Sequence, residues 1–314
     1  MSRCLVVVNP SSGGGAARKY VMDLQMKLGT LFDHVEVKYT EGEGDATRFA
    51  KDASDHDFDA VFCMGGDGTV NETMNGVAQG GFKVNFGFIP VGTVNDMARA
   101  LGIPRHPLAA IHRINHDNIR RIDVGRCNDK FFCNNIAAGV IPKVIEEVSI
   151  KEKRALGPLA YFLRAGQALF TTKDFAYRII TDQGEDFVVK SPLVLALLTN
   201  VVSSFEKFMP PAAVDDGYMR IVIFKEYFIL DILSVLPLIM SGSIYKSKYA
   251  KILTVKKARI ELLSTVDDLP TNMDGDKGPY LPVDLEVLPQ ALKVYAPIGH
   301  RKNSQKLALL SNHK

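Results

Sequence analysis

The sequence is short of several things, and each shortage removes a class of function. Its net charge is only +3 across 314 residues. Nucleic-acid binding usually demands a strong basic patch, so no nucleic-acid partner is expected. A weakly basic chain can still visit an anionic membrane surface. No CxxC pair occurs among the cysteines Cys4, Cys63, Cys127 and Cys133. They lie in or beside apolar strand-like runs and read as reduced core residues of a cytosolic protein. No hydrophobic run is long enough to span a bilayer. The first, which ends at Asn9 and Pro10, is neither a signal peptide nor a span. The stretch Tyr227 to Met240 contains Asp231 and Pro237 and reads as a core-packed helix. Internal repeats and low-complexity tracts are also lacking.

What remains is the composition of a soluble globular protein, long enough for two domains. Leu5 to Val8 is a continuous apolar run, as in a strand buried on both faces of a parallel sheet. Val35 to Tyr39 alternates, a helix starts near Asp45, and strands follow at Ala60 to Met64 and Phe86 to Val91, with a helix near Asn95 to Leu101. This order predicts an α/β domain with an N-terminal parallel sheet, residues 1–122, suited to binding a nucleotide. From Asp123 the grammar changes. Strand-like runs at 130–134, 176–181, 188–199, 218–224, 252–263 and 285–295 are interrupted by helices near 159–170 and 228–240. They predict a mostly β, sandwich-like second domain over 123–297. The tail, 298–314, is expected either to pack back on the first domain or to fray.

The strongest local signal is Gly65-Gly66-Asp67-Gly68-Thr69-Val70-Asn71-Glu72, between a strand and a helix. Glycines let the backbone approach a phosphate, and free N–H groups at a helix start favour an anion. Asp67 stands where it can act through magnesium, because phosphoryl transfer needs charge neutralised. A tight turn capped by Asp67 needs fewer glycines. A second loop, Asn9-Pro10-Ser11-Ser12-Gly13, follows the first strand, and a third, Gly92-Thr93-Val94-Asn95-Asp96, follows a later one. Ligands collect at this edge of a parallel sheet. None of the loops is a GxGxxG fingerprint or a Walker loop.

In this order the three loops resemble the diacylglycerol kinase catalytic-domain family. The resemblance continues through Ile122-Asp123-Val124-Gly125, Phe205-Glu206-Lys207, Asp215-Asp216-Gly217-Tyr218 and Asp274-Gly275-Asp276. It implies a magnesium- and ATP-dependent lipid kinase, with diacylglycerol as first acceptor. Phosphatidylglycerol, a sphingoid base and an isoprenoid alcohol are the other acceptors. It implies that Asn9 to Gly13, Thr40, Gly65 to Glu72, Thr93 and Asn95 hold the nucleotide. Asp67, Asp96 and Asp123 resemble an aspartate–water–magnesium network. Asp216, with carbonyls near Ala213 and Tyr218, resembles a second, structural magnesium site, where a plain hairpin turn is the alternative. Asp274 or Asp276 would be the catalytic base. The lipid substrate would be met at the membrane surface by a cytoplasmic, peripherally attached protein, with a homodimer left open.

Three departures stand out. Asp276 replaces an expected glutamate. Gly14 and Gly15 replace a first-loop cation, for which Arg18 and Lys19 are the nearest substitutes. Leu198 to Ser204 replaces a Gly-rich aromatic patch. Related glycine loops occur in NAD kinases and 6-phosphofructokinases, and a non-catalytic nucleotide- or lipid-binding regulator is the remaining alternative.

Overall fold

Five consecutive buried residues complete the strand Arg3–Val8 (β1), so both of its faces are covered. In this computed structural model the described residues are 1–139, 175–202, 213–225, 237–238, 241–244, 247–263 and 269–297. The helices expected near 159–170 and over most of 228–240, and the tail, lie outside them. A 3-10 turn and helix α1 (Val21–Gly29) lead to β2 (His34–Tyr39). Then come α2 (Asp45–Asp55), β3 (Ala60–Gly65), α3 (Asp67–Gln79), β4 (Asn85–Pro90), α4 (Asp96–Leu101) and α5 (Pro107–Arg113). β1 pairs in parallel with β2 and β3, and β3 with β4. The four cysteines are buried and unpaired. Burial pushes the Cys63 and Cys127 thiols up to about 12, so they are inert packing groups.

The later elements are β5 (Ile119–Cys127), β6 (Lys130–Phe132), β7 (Asn135–Gly139), β8 (Phe175–Thr181), β9 (Asp186–Ser191) and β10 (Leu193–Leu197). They continue with β11 (Met219–Phe224), β12 (Ala250–Val255), β13 (Lys257–Leu262), β14 (Pro270–Met273), β15 (Asp276–Tyr280) and β16 (Val283–Tyr295). One sheet has the order β2-β1-β3-β4-β16-β13-β8-β9, with β5 paired to β16 and β6 paired to β5. The other has the order β12-β11-β10-β7-β14-β15 and is antiparallel throughout. The result is a mostly parallel α/β unit followed by an antiparallel, sandwich-like unit.

Two single strands expected from apolar runs are each a pair. Residues 188–199 divide at Pro192, which has no N–H for a ladder. β9 lies in the first sheet and β10 in the second. Residues 252–263 divide at Lys256 in the same way, giving β12 and β13. At both points the chain passes from one sheet to the other, and both sheets bury apolar faces in one core that includes Tyr177, Phe224, Leu195 and Leu285.

The two units share the first sheet. β16 pairs with β13 at Val283–Glu286 and reaches Phe86 of β4 at Val294. β5 runs beside it through the expected boundary at 122.

Candidate active site

β1, β3 and β4 end at one edge of the sheet, and the three glycine loops grow from those ends. Gly13, Gly14 and Gly15 all have positive φ, which lets the first loop fold tightly. A Cβ on Gly13 would stand 2.7 Å from the Val91 carbonyl oxygen, and one on Gly92 would stand 2.8 Å from the Gly66 Cα. The loops therefore pack backbone to backbone, with no room for side chains between them. Asn9 Nδ2 donates to Thr69 Oγ1 at 3.0 Å, and the Ser11 N–H donates back to Asn9 Oδ1 at 3.0 Å. The Thr40 N–H donates to the Val8 carbonyl at 2.9 Å, placing Thr40 beside the first loop. Thr93 is exposed on the third loop, and Val70 is buried beneath the second. Arg18 and Lys19 are exposed at the end of the 3-10 turn.

Asp67 ties the second loop to the third. Its two carboxylate oxygens accept from the N–H groups of Asn95 at 2.8 Å and Asp96 at 2.9 Å. Asn95 sits in a left-handed conformation, φ 54°, that presents these N–H groups. Glu72, one turn into α3, accepts from the Gly44 N–H at 3.1 Å and so anchors the Glu41-Gly42-Glu43-Gly44 loop beside the site. Burial raises its carboxyl.

The second unit supplies the opposite wall. Asp274 and Gly275 form a two-residue turn with φ of 51° and 100°, joining β14 to β15. The Asp274 carboxylate is saturated. It accepts from the N–H groups of Cys133, Asn134 and Asn135 at 2.7–2.9 Å and from Asn71 Nδ2 at 3.0 Å. Burial pushes it up to about 6, against the pull of those four bonds. Asp276 is placed differently. The residue as a whole is exposed, but its carboxylate end lies against the first unit, with Oδ2 3.3 Å from the point where a Cβ on Gly68 would stand, at the start of α3. Its carboxyl is raised first by lost hydration, then by the negative charges of Asp67 and Glu43.

Asp67 and Asp96 come together, but Asp123 is spoken for. Its oxygens accept from the Gly217 N–H at 2.6 Å and the Gln290 N–H at 2.8 Å, at the seam of the two units. Burial raises its carboxyl, and the nearby charges of Asp216 and Asp215 add to that. Asp216, expected to bind a structural cation, instead holds the Arg220 guanidinium. Phe205, Glu206 and Lys207 lie outside the described residues.

Sequence reasoning missed Asn75, Asn134 and Glu43. Asn75 Nδ2 donates to the Phe131 carbonyl at 2.8 Å, and the Phe131 N–H donates to Asn75 Oδ1 at 2.9 Å, which bolts α3 to β6. The spacing of Asn71 and Asn75, one helical turn apart, was the available signal. Asn134 Oδ1 accepts a short bond from the Thr199 hydroxyl.

Comparison with known proteins agrees with this arrangement. Residues 3–127 match the family described as diacylglycerol kinase catalytic domain. Residues 134–296 match the YegS C-terminal NAD kinase beta sandwich-like domain. A diacylglycerol kinase of Staphylococcus saprophyticus is 33% identical over 295 residues, covering 94% of this chain and 95% of that protein. The crystal structure of a diacylglycerol kinase from Bacillus anthracis superposes with a TM-score of 0.79 over 95% of this chain and 98% of that one, at 24% identity. An ATP-bound NAD kinase from Archaeoglobus fulgidus shares the fold at a TM-score of 0.50 and 13% identity, over 99% of this chain and 97% of that one. With both halves matched, and with a relative one-third identical along almost its whole length, the chain belongs to the diacylglycerol kinase catalytic-domain family.

Proposed function

We propose that the chain is an ATP-dependent lipid kinase that uses Mg²⁺ and phosphorylates a lipid hydroxyl, diacylglycerol first among them. One observation carries this reading: the Asp276 carboxylate of the second unit faces Gly68 at the phosphate-loop edge of the first. The nucleotide phosphates would lie on the three loops, among Asn9 to Gly13 and Gly65 to Asn71, at the start of α3. Among the described residues no three His, Cys, Asp or Glu side chains are set to grip a bare ion. That fits magnesium, which usually binds through one or two carboxylates and completes its shell with phosphates and water. Asp67 and Asp96 would hold it, and when bound it would neutralise charge on the phosphates.

Asp276 is the general base in this reading. Its carboxylate takes the proton from the acceptor hydroxyl, the freed oxygen bonds to the γ-phosphorus, and the bond to the departing diphosphate breaks. Lost hydration and the neighbouring carboxylates raise its affinity for that proton. Asp274 is a positioning residue, since its oxygens are fully engaged in aligning β7 and α3. Membrane contact would be peripheral: among the described residues no helix is long and apolar enough to cross a bilayer.

The test is phosphorylation by labelled ATP of a panel of acceptors: diacylglycerol, phosphatidylglycerol, a sphingoid base, an isoprenoid alcohol and, in solution, NAD. Lipid acceptors are presented in anionic vesicles at low and high salt. A labelled lipid is expected only with a divalent cation, and more at low salt, where exposed charges are screened less. D276N is expected to lower kcat about 10²–10⁴-fold with nucleotide affinity kept. Labelling of NAD alone, or a fully active D276N, would overturn the reading.

A further inference from the structure

The turn Asp215-Asp216-Gly217-Tyr218 is where the family resemblance implies a structural divalent cation, held by Asp216 and by carbonyls near Ala213 and Tyr218. The donors here do not fit one. Arg220, at the second position of β11, turns its guanidinium back onto the turn. Its Nη1 donates to Asp216 Oδ1 at 3.0 Å and to the Tyr218 carbonyl at 3.1 Å, and its Nη2 donates a short bond to Asp216 Oδ2. The Tyr218 N–H also donates to Asp216 Oδ1 at 3.1 Å. The Ala213 carbonyl faces the Asp216 N–H at 3.4 Å. The carboxylate and one carbonyl that a cation would need are therefore occupied by one side chain of the same chain.

We infer that the Arg220 guanidinium takes the place of the structural cation, so that this turn is ordered without any divalent metal. A guanidinium is permanently charged, and its planar fork matches a carboxylate in a way that a spherical ion does not. The pair is mostly buried, with side chains 17% and 24% exposed, so screening by solvent is limited. The turn also matters to the seam between the units. The Gly217 N–H that it presents, at a φ of 76°, donates to Asp123, which in turn holds Gln290 within β16. Asp215 is balanced separately by Arg120, 3.5 Å away. Three carboxylates meet at this seam, and two arginines supply their counter-charge. A +2 ion added beside Arg220 would meet repulsion and find its oxygens already taken. Divalent metal would then be required at the cleft and not at the seam.

Two measurements test this on the full chain without nucleotide. Melting of the wild type is compared in magnesium and in excess chelator, beside D216N. The wild-type midpoint is expected to be insensitive to the chelator. A magnesium-dependent rise in the midpoint that D216N abolishes would place a cation on this turn and overturn the inference. Second, R220M keeps the length and apolar stem of the side chain but removes the fork. It is expected to lower the midpoint by roughly 3–6 °C, the size of a lost charge-assisted bond in a chain of this length. R220K, which keeps the charge as a point, should recover only part of it. An R220M midpoint equal to wild type would show that the guanidinium is not the tie. If R220M does not fold, the chelator comparison on the wild type still decides.

Discussion

Two aspartates separated by one glycine have opposite fates, and the turn geometry decides which is which. At Asp274 the positive φ folds the side chain back under the loop at 133–135, where four donors converge on it. Asp276 begins β15 and projects into the cleft. The difference is measurable through pH. Folded Asp274 keeps its proton up to about pH 6, whereas an unfolded aspartate releases it near pH 3.9. Between those values the folded state binds more protons, so this group's contribution to stability falls as pH rises. It is fully present below about pH 3.9 and gone above about pH 6, with an upper bound of roughly 2–3 kcal/mol. Asp274→Asn cannot titrate, so the difference in unfolding free energy between wild type and mutant should shift across pH 4–6 and be flat above. Urea unfolding over that range checks it. A difference that does not change with pH would mean that the four hydrogen bonds outweigh burial and keep the carboxylate ionised.

Among the elements, α3 carries most of the site, and it is fixed at three points by different means. Gly76 lets it lie against α2 so closely that a Cβ there would stand 2.2 Å from the Thr47 carbonyl oxygen. Asn71 reaches Asp274 of the β14–β15 turn. Asn75 replaces the missing ladder bonds of Phe131 with the two ends of its side-chain amide. Asn75→Ala leaves the Phe131 N–H and carbonyl unpaired and should cost about 1–3 kcal/mol, read as a shift in the urea midpoint. Asn75→Asp keeps the acceptor, loses the donor and should fall between. Equal stability of the alanine variant and wild type would mean that water satisfies Phe131 instead.

The same elements mark what the sequence could say. β3, α3 and β4 were legible because buried parallel strands are continuous apolar runs and the glycine loops punctuate them. The β14–β15 hairpin does not read as strands, because Pro270 to Tyr280 is rich in Asn, Asp, Gly and Pro, although Asp-Gly is itself a hairpin signal. The Arg220 fork was hidden for another reason. Nothing local to β11 says that a strand side chain will turn back four residues, to Asp216, and close on the preceding turn.

At the scale of the molecule, β16 decides whether there are two folding units or one. Its first residues pair with β13 in the sandwich-like half. After the register shift between Leu288 and Leu292 it continues against β5 and reaches β4. Leu292 and Val294 are fully buried among residues of the first core, and the Tyr295 ring lies 4.9 Å from that of Phe62. The N-terminal α/β unit therefore takes part of its core from a segment more than 150 residues further along the chain. Such a pairing has no local signature, which is why a boundary read from the change in strand grammar falls inside β5 and passes over the return of β16. The consequence is thermodynamic. Residues 1–127, of which 3–127 match a family description by themselves, lack the strand that covers one side of β4 and the side chains that fill the space beside Phe62. Deleting buried Leu, Val and Tyr side chains costs several kcal/mol each in a packed core, as much as a whole domain usually has to spare. Expressed alone, residues 1–127 should keep helical signal but lose a sharp unfolding transition and bind an apolar dye. The full chain carrying Leu292→Ala should show one transition, moved to lower urea, with amides of β3 and of β13 exchanging at the same reduced protection. A sharp transition in the fragment, or destabilisation of β3 with β13 unchanged, would mean that the halves fold independently and that β16 merely docks on the first.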